Sequence, residues 1–153
     1  LNLLNAKKIR NILKRKRFDL IINCAAKAKI EYCEKNIGAA IENNIQSTFN
    51  LVKEILSYKK KYKKDIKLVH ISSDAVYPCF KGNYKEESKL GPYNVYGWTK
   101  LSSEFLVKMV HDYIIIRTRF YKENQIKYKK SAIDIFTSQI EIKQLAKYIF
   151  YII

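Results

Sequence analysis

The chain has 153 residues, 48% of them hydrophobic, with only 4 Gly and 2 Pro; that composition excludes a disordered tail and suits one domain or part of one. No apolar run reaches the ~18 residues that cross a bilayer and no secretory signal pattern opens the chain, so a cytoplasmic protein without a membrane partner is expected. The formal net charge of +16 raises a nucleic-acid reading, but Lys, Ile, Asn and Tyr are abundant together, as in proteins of AT-rich genomes, and lysines then collect on solvated faces; no nucleic-acid partner is expected.

In chain order, Ile9, Ile12 and Leu13 fall at helical spacing after Asn5, an N-cap residue type, which predicts a helix over 6–16. "FDLIINCAA" follows, a continuous apolar run of strand length bounded by small residues. From Gly38 to about Lys60, the residues Ile41, Ile45, Thr48, Leu51, Val52, Ile55 and Leu56 trace one helical stripe. The basic run "KKKYKK" closes it, where cations offset the helix dipole. "IKLVHISS" is the next buried strand, and a turn-rich loop with Pro78, Gly82 and Asn83 crosses 74–91. Leu101, Phe105, Val107 and Met109 predict a helix over 92–111, "YIIIRT" a third strand, 119–140 a loop, and 142–153 a final helix.

Strands alternating with helices predict an α/β fold with a parallel sheet and right-handed crossovers. Ligands in such folds sit beyond the carboxyl ends of the strands, where "NCAA" and "SSDAVY" lie. Cys24, Cys33 and Cys79 are odd in number and lack metal-ligand spacing, so they read as reduced thiols and no metal is expected. The chain begins at Leu1 and stops within the apolar "YIFYII", from which we expect a fragment of a longer protein.

"NVYGWTK" places Tyr96 and Lys100 four positions apart, on one face of a helix. Among 12 Tyr and 30 Lys and Arg, about two such spacings arise by chance, and a second, Tyr77 with Lys81, exists. Tyr77 is followed at once by Pro78 and belongs to a loop, so it is read as the chance match. A free Tyr has a pKa near 10; an adjacent ammonium favours the phenolate and fits the hydroxyl for passing a proton to or from a carbonyl or alcohol oxygen. Ser73, closing a strand, is placed to hydrogen-bond the same oxygen, although a strand-end Ser is by itself an ordinary polar cap. His70 and His111 are read as structural.

The order "INCAA… NNIQSTFNL… VHISSDAVY… PYNVYGWTKL… IIIRT" resembles the extended short-chain dehydrogenase/reductase superfamily, nearest to its branch of dTDP-4-dehydrorhamnose reductases and related nucleotide-sugar enzymes. The likeness runs from Leu1 to about Thr118. It implies a Rossmann-like doubly wound parallel sheet, partial because the first strand–helix–strand and most of the substrate lobe are missing. Residues 1–118 would be the NAD(P)-binding part and 119–153 an abbreviated substrate-lobe remnant with a terminal helix.

The resemblance makes Tyr96 the acid/base, Lys100 the residue that lowers its pKa and binds the nicotinamide ribose, Ser73 the residue orienting the reacting oxygen, and Asn44 the helix residue of the proton relay. It implies NADPH or NADH as cofactor, lined by Cys24, Ala25 and Ala26, with Asn2 standing where the family often has an Asp near the adenine. Asp74 and Arg117 are the implied substrate contacts, and Tyr93 and Trp98 either line the sugar side or pack. The implied reaction is reduction of a keto group on a nucleotide-linked sugar, with oligomerisation open. Ala75, where the dehydratase branch has Glu, argues against dehydration. The glycine-rich phosphate loop is absent from the sequence, so feeble dinucleotide binding by the chain alone is expected. The alternatives are a nucleotide-sugar 4-epimerase using the same Ser, Tyr and Lys, an inactive or regulatory homologue of the fold, and, on charge alone, a nucleic-acid binder.

Overall fold

The computed structural model describes residues 1–122 and 138–153. Two compact units are present, Leu1–Ile116 and Arg117–Ile153.

The first unit opens with α1 (Ala6–Arg15), capped as expected by Asn5, whose Oδ1 accepts from the Lys8 N–H at 2.9 Å. Its apolar stripe, Ile9 and Leu13, is buried. β1 (Leu20–Asn23) is shorter than the apolar run that encodes it, because Asn23 turns its side chain onto the Ala25 N–H and ends the ladder. The chain then forms α2 (Ile30–Lys35), a short helix that no sequence stripe announced, and α3 (Ile37–Ala40). A π-helical stretch, Ile41–Gln46, joins α3 to α4 (Ser47–Tyr62), so the single expected helix carries a widened turn in its middle.

β2 (Lys67–Ser73) pairs parallel with β1 in the register Leu20↔Lys67 to Asn23↔His70. A 3₁₀ turn, Asp74–Val76, leaves β2, and after the loop the chain enters α5 (Val95–Val107), shorter at both ends than expected. β3 (Tyr113–Thr118) completes a three-stranded sheet in the order β1-β2-β3. Strands that advance in one direction through right-handed crossovers lay α4 and α5 side by side on one face of the sheet. There Leu51, Val52, Ile55 and Val107 meet Ile9 and Leu13 of α1 and Leu68 of β2 in one core. α1 is also tied to α4 by a two-pronged ion pair, Arg10 Nε and Nη2 to the buried Glu54 carboxylate at 2.9 and 2.8 Å.

In the second unit β4 (Phe120–Tyr121) pairs parallel with β5 (Ile140–Glu141), so the stretch read as loop has a strand at each end; 123–137 lie outside the described residues. Glu141 caps α6 (Ile142–Ile152) by accepting from the Lys143 and Gln144 N–H groups. No helix among the described residues is long and apolar enough to cross a membrane.

Candidate active site

The first turn of α5 is held from both sides. Asn94 caps it, Oδ1 accepting from the Gly97 N–H at 2.7 Å, and Glu34 at the end of α2 accepts the Val95 N–H at 2.7 Å. Two of the donors a helix start leaves unpaired are thereby satisfied. The turn packs on the Asp74–Val76 turn, and Gly97 allows the approach. Ser73 is buried at the carboxyl end of β2. Its Oγ accepts from the Ala75 N–H and donates to Asp74 Oδ1, both at 3.2 Å. Ser73 and the start of α5 therefore meet at the strand end, with Tyr96 half-buried in that helix.

Lys100, one turn beyond Tyr96, is 2% exposed, the one lysine of the described residues that is buried. Its Nζ donates to the Ile71 carbonyl at 2.7 Å and lies 3.3 Å from His70 Nε2. His70 Nδ1 in turn lies 3.2 Å from Asn23 Nδ2. Glu104, a further turn along α5 and also buried, accepts from the Ser72 hydroxyl at 2.5 Å. Burial lowers the Lys100 pKa to about 8, against the upward pull of Glu104 and Cys24. Burial and then the Lys100 charge lower His70 to about 3, so the imidazole is neutral. A solvated surface lysine would have none of these partners.

Asn44 faces α5 from the π-helical stretch. Its Oδ1 accepts the Lys27 N–H at 2.7 Å, and its Nδ2 donates to the Lys27 carbonyl at 3.2 Å and to Thr99 Oγ1 at 2.8 Å. Thr99 passes the chain on, donating to the Tyr96 carbonyl at 2.8 Å. Both amide hydrogens of Asn44 are thus spent on backbone and on Thr99, and its reach to Tyr96 is through Thr99. The widened turn is real in hydrogen-bond terms: the Ser47 N–H bonds the Glu42 carbonyl five residues back. The Asn44 carbonyl accepts from the Thr48 and Ser103 hydroxyls.

Cys24, Ala25 and Ala26 are exposed beyond the carboxyl end of β1. Partial desolvation raises the Cys24 thiol pKa, while the nearby Lys100 charge pulls it back. Asn2 is exposed and its Oδ1 accepts the Leu4 N–H at 2.9 Å. Asp74 is next to Ser73 and half-buried, whereas Arg117 belongs to the second unit, so the geometry of the first unit is described without it. Tyr93 and Trp98 are exposed. Tyr77 is buried and stacks on Tyr84 with centroids 4.9 Å apart, a packing residue. Among the described residues no cluster of three or more His, Cys, Asp or Glu is placed to hold a metal ion.

Sequence reading treated His70 as structural and did not single out Asn23, Thr99, Glu104, Glu34 or Gly97. The signal for two of them, His70 and Glu104, was present. Leu68, His70 and Ser72 alternate onto one face of a buried strand, and Lys100 with Glu104 repeats the four-residue helical spacing. Two polar residues on a buried strand face require polar partners.

A family model described as the RmlD substrate binding domain matches residues 1–144. Methionine adenosyltransferase 2 subunit beta of Bos taurus is 32% identical over 103 residues, 67% of this chain and 29% of the relative. The dTDP-4-dehydrorhamnose reductase of Mycolicibacterium smegmatis is 32% identical over 103 residues, 65% of this chain and 30% of that protein. The chain thus spans less than a third of the length of these curated relatives. Among solved structures, a hypothetical dTDP-4-dehydrorhamnose reductase from Sulfolobus tokodaii superposes with a TM-score of 0.80 at 31% identity, over 99% of this chain and 57% of that one. The Bacillus anthracis dTDP-4-dehydrorhamnose reductase in complex with NADP gives 0.67 at 28% identity, over 86% and 45%. The α/β arrangement is the Rossmann-like fold of these neighbours.

Proposed function

The chain belongs to the RmlD substrate binding domain family, and we propose that it carries the proton-transfer half of an NAD(P)H-dependent reductase acting on a keto group of a nucleotide-linked sugar. The observation that carries this reading is Lys100, buried on α5 one turn from Tyr96 with its amine on the Ile71 carbonyl. Tyr96 gives its phenolic proton to the carbonyl oxygen, and Ser73 hydrogen-bonds the same oxygen and orients it. Lys100, as an ammonium, favours the phenolate left behind and holds the nicotinamide ribose. A nicotinamide held there would supply hydride to the carbonyl carbon, and with the proton from Tyr96 the keto group would become an alcohol.

Asn44 sets the height of α5 through Thr99, Cys24 to Ala26 line the cofactor, and Asp74 contacts the substrate. Asn2 stands on the adenine side. NADP in the Bacillus anthracis relative supports the cofactor class. Asp74 and the "PYNVYG" run favour a reductase over a 4-epimerase, and Ala75 supplies no carboxyl for dehydration.

The test uses the full-length gene product with a nucleotide-linked keto sugar. Tyr96→Phe removes the proton donor and keeps the ring, so turnover falls ~10²–10⁴-fold. Tyr77→Phe is the control; equal, mild effects at both positions would overturn the assignment.

A second reading, an inactive or regulatory homologue of the fold, draws on the 32% identity with a protein named as a subunit, methionine adenosyltransferase 2 subunit beta. Full-length protein that binds NADPH yet turns over no nucleotide-linked keto sugar supports that reading instead.

A further inference from the structure

Asn23 on β1, His70 on β2 and Lys100 on α5 form a line of side-chain nitrogens through the interior, at 3.2 Å and then 3.3 Å. All three are buried, at 3%, 0% and 2% exposure, so water does not settle where the protons go. The end of the line settles it. Asn23 Oδ1 accepts the Ala25 N–H at 3.1 Å. Turning the amide over would set its NH₂ against that N–H, donor against donor, so its orientation is fixed by chemistry. With Oδ1 on Ala25, Asn23 presents Nδ2–H to His70 Nδ1, which must accept. A neutral imidazole that accepts at Nδ1 carries its proton on Nε2.

We propose that Asn23 and His70 are positioning residues for Lys100: the pinned amide keeps the His70 proton on Nε2, and His70 thereby turns an N–H rather than a lone pair toward the Lys100 amine.

The consequence follows from counting donors. As a neutral amine, Lys100 donates to the Ile71 carbonyl and accepts from His70 Nε2–H, and both contacts are hydrogen bonds. As an ammonium it keeps the Ile71 bond, but its positive Nζ faces an N–H. His70 and burial therefore press Lys100 toward the amine. Glu104, one turn further along α5, and Cys24, at the end of β1, work against this: both favour the ammonium. Ser72 on β2 is occupied by Glu104. Lys100 thus titrates at about 8, below the usual 10.5 of a lysine, so it is mainly the ammonium at neutral pH and gives up its proton in the mildly alkaline range. The His70 tautomer is a property of this chain whatever reaction the site performs. Its bearing on turnover rests on the reductase reading, through the charge Lys100 offers Tyr96.

The chain has 2 histidines, which makes the tautomer directly readable. Two-bond ¹H–¹⁵N correlation spectra of the intact chain, with His111→Gln to assign the signals, should show His70 neutral across the neutral range, Nε2 protonated and Nδ1 bare. Asn23→Asp replaces the donor facing Nδ1 by an acceptor, so the His70 proton should move to Nδ1. Nε2 then accepts from the Lys100 ammonium, and the Lys100 midpoint, followed at ¹³Cε and assigned with Lys100→Met, should move alkaline by about one pH unit or more. His70 protonated on Nδ1 in the unaltered chain overturns the proposal, as does Asn23→Asp leaving the tautomer unchanged. If Asn23→Asp does not fold, the spectrum of the unaltered chain decides alone. A failure of the reductase reading would show in the Tyr96→Phe kinetics and leave the tautomer result standing.

Discussion

Gly97 lies so close to Ala75 that a Cβ built on it would meet the Ala75 carbonyl oxygen at 2.3 Å and the carbonyl carbon at 3.1 Å. Both obstacles are backbone, at the point where β2 gives way to the turn after Ser73, and neither can swing aside as a side chain would. Gly97→Ala must therefore lift the first turn of α5, carrying Tyr96 and its caps with it. Overpacking of this kind costs ~1–3 kcal/mol. Urea unfolding of the two proteins measures it, and unchanged stability would mean that the helix has slack the structure denies it.

Asn44 satisfies three groups at once: the N–H and C=O of Lys27 and the hydroxyl of Thr99. Asn44→Ala removes all three hydrogen bonds, one of them the bond to the buried Thr99 hydroxyl, and should destabilise the chain by ~1–3 kcal/mol. Its neighbour Asn43 makes one bond, to the Ala39 carbonyl, from a half-buried position, and Asn43→Ala should cost less. The order of the two losses in urea melts is the check. A larger loss at Asn43 would mean that Asn44 is not the clamp between the Lys27 segment and α5.

The α/β order was legible because the apolar periods of β1, β2, α4 and α5 are long and clean. α2 was not, since its six residues bury only Cys33 and leave no stripe to count. The π-helical turn was hidden for a different reason: it is defined by which carbonyl the Ser47 N–H reaches, and no hydrophobic pattern records that. At the site, the Tyr96–Lys100 spacing was visible, but whether Lys100 is solvated or buried depends on β2 lying beneath it. That is a tertiary fact, and so is the role of His70, which reads as one polar residue in an apolar strand until Asn23 and Lys100 are placed on either side of it.

His70 also makes the chain sensitive to acid. Its pKa is lowered to about 3 in the fold, from the usual 6.5 of a histidine. Between those values the unfolded chain binds a proton that the folded chain does not, so the contribution of His70 is fully present above 6.5 and is lost as pH falls toward about 3. Each such proton is worth up to about 1.4 kcal/mol per pH unit. Unfolding free energies of the unaltered chain and His70→Gln, measured down this window, should converge or cross as pH falls. A difference between them that does not change with pH would mean that His70 titrates alike in both states.

Lys100 works in the opposite range. Burial lowers it to about 8 from 10.5, so between these values the unfolded chain holds a proton that the fold has shed. Stability from this group is therefore fully present above 10.5 and is lost as pH falls toward about 8, below which an ammonium must stay buried. Lys100→Met fills the same channel with an unbranched apolar side chain and carries no charge to bury. The other lysines are common to both proteins and cancel in the comparison. Relative to the unaltered chain, Lys100→Met should be at its best at neutral pH and should lose ground through the alkaline window, by up to about 1.4 kcal/mol per pH unit. In the complete protein the same substitution removes the charge beside Tyr96, so the surviving activity should shift to higher pH. The two effects share one cause, a single buried amine. A flat stability difference through the window would show that the amine keeps its proton without penalty, and the case for Lys100 as a tuned group would fall with it.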